Sequence, residues 1–62
     1  MERIYDIFEK MSDGTWVWRA VIAGREPALR KLQEMARRST SEFQLKHIAT
    51  DTIIAVANTP KS

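Results

Sequence analysis

His47 is the only imidazole in the chain, and the sequence offers it no partner for the chemistry a histidine usually does. A zinc site takes three or four Cys, His or carboxylate ligands, and a nucleophilic site sets a Ser, Cys or Thr beside a base. There is no cysteine and no second histidine, and His47 stands at the end of the alternating run Glu42-Phe43-Gln44-Leu45-Lys46-His47. A structural or simply exposed role is the expectation. Asp6, Glu9, Asp13, Glu26, Glu34, Glu42 and Asp51 are scattered without the spacing of a calcium loop and read as solvated charge. Gly14 and Gly24 are the only glycines, and each already marks a turn or a boundary, which leaves no glycine-rich loop for a phosphate. No catalytic residue, metal or cofactor is expected, and the chain reads as noncatalytic.

Rings and cations are the other combination that carries chemistry, because rings stack on bases and cations neutralise phosphates. Trp16, Trp18 and Arg19 lie close in sequence to Arg25, Arg30 and Lys31. Adjacent residues of a strand point to opposite faces, which separates Trp18 from Arg19. Two tryptophans two residues apart, beside an amphipathic helix, fit a core. The basic residues left for a nucleic-acid surface are Arg19 and Lys46 on the open side of the sheet, next to Gln44, and Arg30, Arg37 and Arg38 on the helix. Ten basic against eight acidic residues leave a net charge of only +2, so the pI of 9.4 says little about partners. Nucleic-acid binding is the alternative reading.

The elements that position these residues follow from period and punctuation. Ile4 to Met11 is rich in β-branched and aromatic residues and stops at Ser12-Asp13-Gly14, where Asp-Gly suits a tight turn. Thr15 to Ala23 has few helix formers and ends at Gly24, so the two runs predict a hairpin. Pro27 fits the first position of a helix, and Ala28, Leu29, Leu32, Met35 and Ala36 then recur at steps of three and four, until Ser39-Thr40-Ser41 closes the segment. Phe43 and Leu45 share one side of a third strand, and Ile53 to Ala57 reads as a fourth, followed by a frayed tail from Asn58 to Ser62. The expected fold is α+β, a single ββαββ domain over residues 1–62 with one helix on one face of a mainly antiparallel four-stranded sheet. The hairpins can meet through the first and third strands or through the second and fourth.

A domain of 62 residues buries roughly 60% of the surface of its unfolded chain, and burial then barely exceeds ordering entropy. With 44% hydrophobic and 29% charged residues the chain is expected to fold, and with no disulfide available the aid left to a thin core is association. Strict alternation places Trp16, Trp18, Ala20 and Ile22 under the helix, with Val17, Arg19 and Val21 opposite. Apolar residues fall on both sides of the first strand, and one helix cannot cover both. A homodimer is therefore expected, through the uncovered sheet face or an edge strand, with Phe8, Val17 and Val21 as the association surface, and a different protein partner is left open. No apolar run is long enough for a membrane span, and Met1 to Asp6 mixes charge signs rather than forming a basic leader, so a cytoplasmic location is expected.

The string Ile-Tyr-Asp-Ile-Phe-Glu-Lys, with Asp13-Gly14, Val17-Trp18-Arg19, Gly24, the Leu-containing helix and Ser41-Glu42-Phe43, resembles a group of short uncharacterised bacterial ββαββ proteins from Tyr5 to Val56. The resemblance implies the fold and a bacterial origin, and it transfers no activity or site residues. Asp51 followed by Thr52 departs from the pattern, because a glycine is expected in that turn.

Overall fold

A computed structural model describes residues 3–59. It contains β1 (Ile4–Lys10), β2 (Trp16–Ala23), α1 (Arg25–Arg37), β3 (Phe43–His47) and β4 (Thr52–Ala57). The strands form one sheet in the order β2-β1-β3-β4, every neighbouring pair antiparallel. The hairpins thus meet through β1 and β3, the first of the two expected arrangements. The α+β ββαββ architecture is the one the periodicity predicts.

Helix α1 starts two residues ahead of Pro27. Gly24, at φ 91° and ψ 138°, precedes the first turn, and its carbonyl accepts from Ala28 N–H at 3.1 Å. Pro27 is accommodated because the first turn's N–H groups have no intrahelical acceptor, so the missing donor costs nothing there. Ala28 and Leu32 of the helix are buried against Tyr5 and Ile7 of β1 and Phe43 and Leu45 of β3. Ala20, Ile22, Ile54, Ala55 and Ala57 from the outer strands pack around this centre.

The largest departure from strict alternation lies in β2. Ile7 pairs with Ala20 but Phe8 pairs with Trp18, so Arg19 is an extra residue with no partner on β1. A bulge of one residue reverses the facing of everything beyond it. Ala20 and Ile22 stay under the helix, whereas Trp16 and Trp18, expected there too, turn to the opposite face and are exposed. Val17 moves the other way, since it pairs with Glu9, which also pairs with the core residue Phe43. A second shift in β4, where Leu45 pairs with Ala55 and Lys46 with Ile53, leaves Ile54 as the extra residue.

The turns supply their own chemistry. Gly14 adopts φ 92°, and Asp13 Oδ1 accepts from the backbone N–H of Thr15 at 2.9 Å and from its hydroxyl. In the β3–β4 turn the positive φ falls on Asp51 at 52°. Aspartate tolerates that region better than most residues, which explains how the turn closes without a glycine. Asn58 is not frayed: its Nδ2 lies within 3.0 Å of the carbonyls of Ala36, Ser39 and Ser41 and ties the end of β4 to the segment after the helix. Pro60 to Ser62, the remainder of the expected tail past Thr59, lie outside the described residues.

Two measurements test these readings. Deleting Arg19 removes the unpaired residue and makes Trp18 the direct neighbour of Ala20, so plain alternation then keeps Trp16 and Trp18 on the open face and tryptophan emission should stay at its red position. A shift of the emission to the blue would mean that the indoles enter the core and that the pairing of Phe8 with Trp18 does not set their facing. Asn58→Gly keeps the positive φ accessible while removing the amide, and should cost about 1–3 kcal/mol in urea unfolding.

Candidate functional site

The sheet face away from the helix is made of cross-strand rows. One row runs Val21, Asp6, Lys46, Ile53, and the next runs Trp18, Phe8, Gln44, Val56. Trp16 lies opposite Lys10, and Ile4 opposite Ala23, at the two ends. Trp18 is 54% exposed, Val21 52%, and Ile53 and Val56 48% each. These side chains are large and apolar and have no covering layer among the described residues, whose single helix lies on the other face.

Three polar groups on the face, Asp6, Lys46 and Lys10, are engaged with its rings. Trp18 Nε1 donates to Asp6 Oδ1 at 3.0 Å, across a diagonal of the β1–β2 pair. Lys46 Nζ lies 5.5 Å from the centroid of Phe8, and Lys10 Nζ 5.8 Å from the ring of Trp16, both within cation–π range. Lys46 is also 3.5 Å from Asp51 Oδ1 at the edge of the face. Asp6 and Lys46 sit directly opposite one another on the two central strands, so the face carries one anion beside one cation at its middle.

The residues singled out by sequence separate into three places. Phe8 and Val21 come together on the open face, whereas Val17 lies on the helix side. Lys46 is on the open face, but Arg19 is not beside it: in the bulge its Nε contacts Glu9 Oε1 at 2.8 Å, and Nη2 reaches Met11 Sδ at 3.8 Å. Arg30 and Arg37 line a groove on the outer flank of α1, and Arg38 is 3.6 Å from Glu34. The sheet and helix cations therefore do not form one basic surface. Trp16 and Trp18, assigned to the core by strict alternation, are the face residues that sequence reasoning missed, and no local signal marks Arg19 as a bulge.

Elsewhere the titratable groups are structural in character. His47 packs on Tyr5, ring centroids 5.3 Å apart, and its Nδ1 is 3.0 Å from Thr50 Oγ1. The Ser41 hydroxyl, and then the Arg19 guanidinium, hold the Glu9 carboxyl below its ordinary value of 4.5. Hydrogen bonds from Thr15 lower Asp13 in the same direction. Among the described residues no three His, Cys, Asp or Glu side chains are grouped to hold a metal, and no helix is long and apolar enough to cross a membrane.

Fold and face together define a two-layer α+β domain with one apolar sheet face left open. Compared with protein-family models, curated proteins and solved structures, the chain matches none.

A carboxylate whose folded pKa is depressed stabilises the fold above its unfolded pKa, and that contribution is lost as pH falls through the folded value. Stability should therefore decline below pH 4.5. In Glu9→Gln the decline should be shallower, as read by urea midpoints at successive pH values. An identical slope in the variant would remove Glu9 from the acid response.

Proposed function

We propose that the chain is a noncatalytic interaction domain that forms a homodimer through its open sheet face. The observation that carries this reading is the uncovered set of Trp18, Val21, Ile53 and Val56 on a fold whose buried core is six residues. Contiguous exposed apolar surface marks an association site, and a small core gains most from it.

A second copy fits the face in charge as well as in polarity. In a two-fold pairing each protomer presents the same patch to the other. Asp6 and Lys46 are neighbours, so such a pairing can set the Asp6 of each protomer against Lys46 of its partner. Four strands about 4.8 Å apart make a face roughly 20 Å across. Two such faces reach the size of the smaller specific interfaces, about 1,200 Å² in total. The edge strands are poorer candidates, because both carry a bulge, a device that discourages strand-to-strand pairing. The setting proposed for the dimer is the cytoplasm, and its bacterial origin rests on the sequence resemblance.

Sedimentation equilibrium over a concentration series should give twice the chain mass of 7.2 kDa. Tryptophan emission should move to the red on dilution, as Trp16 and Trp18 return to water. Trp18→Glu and Val56→Lys alter exposed side chains, and each should yield a folded monomer. A wild-type monomer at high concentration would overturn the proposal, as would a dimer indifferent to both substitutions. A monomer that gains mass with single-stranded DNA or RNA, and loses that gain in Trp18→Glu, would instead assign the Phe8, Trp16 and Trp18 rings to base stacking.

A further inference from the structure

The chain's positive charge is collected on the layer opposite the open face. Arg25, Arg30, Lys31, Arg37 and Arg38 stand against Glu26 and Glu34 between positions 25 and 38, five cations and two anions for a net +3. The whole chain carries +2, so all its other residues together contribute −1. Glu34 is already shared by two of the cations, 3.9 Å from Lys31 Nζ and 3.6 Å from Arg38 Nη2. Arg30 and Arg37 make no ion pair among the described residues.

The geometry of these cations is specific. Arg30 and Arg37 are seven residues apart on one side of α1, about 10 Å along its axis. With Gln33 and Glu34 they line a shallow groove of about 570 Å³ that reaches Ala57 at the end of β4. Four of the five cations are arginines, whose planar fork matches phosphate oxygens in a way a lysine point charge does not. The cations stand along the outer side of a helical cylinder. It is the shape that the major groove of a duplex admits, and thirteen residues span about 20 Å.

We propose that the outer face of α1 docks on the phosphate backbone of duplex nucleic acid without sequence preference, through Arg30 and Arg37 with Lys31 and Arg38 beside them. This surface lies across the sheet from the proposed dimer face and does not depend on it. Binding of this kind releases counterions, and log K falls with log salt by about 0.9 per phosphate neutralised. Four cations then predict a slope of roughly −3 to −4.

The experiment is fluorescence anisotropy of a labelled duplex of mixed sequence, titrated with the full chain from low to moderate salt. Arg30→Gln with Arg37→Gln should weaken binding and flatten the slope by about 1.8, the share of two phosphates. Glu34→Gln should tighten it, because it frees Lys31 and Arg38. Circular dichroism checks that each variant is folded. Trp18→Glu, which tests the dimer, should leave the slope unchanged, so failure of the dimer and failure of duplex docking are read separately. The proposal is overturned if the duplex does not bind at low salt, or if the double substitution leaves the slope unaltered. It is equally overturned if poly-glutamate displaces the duplex at equal charge concentration, which would assign the stripe to an acidic protein, or if Trp18→Glu alone abolishes binding, which would move the site to the sheet.

Discussion

One helix of thirteen residues can shield one face of a four-stranded sheet, and this geometric limit governs the rest of the molecule. The buried side chains come from the two central strands and the helix above them: Tyr5 and Ile7, Phe43 and Leu45, Ala28 and Leu32. The outer strands contribute mostly small or half-buried groups. Apolar residues on the other side face outward, since the described residues supply no second layer to place over them. The open face follows from there being one helix to cover the sheet.

The two bulges adjust that arrangement at its margins. Both lie in edge strands, one at Arg19 and one at Ile54, and each lets one strand change facing partway along its length. In β2 this keeps two indoles out of the helix-side core, and Arg19 is held by Glu9 at 2.8 Å. Irregular edges also make poor templates for another strand. The surface that stays flat and available is the face, where Phe8 and Trp18 form the middle of a row.

The two layers divide the chemistry of the chain. The sheet side is largely apolar, with the opposed pair Asp6 and Lys46 at its centre. The helix side carries the excess positive charge, most of it arginine, and makes a surface that attracts anions over a distance of about one Debye length, near 10 Å at moderate salt. Neither layer uses His47, which is spent on packing against Tyr5.

The ββαββ order, the amphipathic stripe from Ala28 to Ala36 and the alternation of Phe43 and Leu45 were all legible in the sequence, because period and punctuation are local properties of a chain. The first turn of the helix ahead of Pro27 was less so, since a proline at N3 is as harmless as one at N1. The choice between β1 and β3 or β2 and β4 as the central pair, the bulge at Arg19 and the anchoring of Asn58 were settled only by the tertiary structure. Each depends on partners distant in sequence: β1 against β3, Ala20 against Ile7, and the Asn58 amide against carbonyls from Ala36 to Ser41. Phe8 and Val21 of the open face were legible too, but the placing of Trp16 and Trp18 on it and of Val17 off it was hidden for the same reason, because a single unpaired residue reverses the facing of every side chain beyond it, and whether a residue is unpaired is decided by the neighbouring strand.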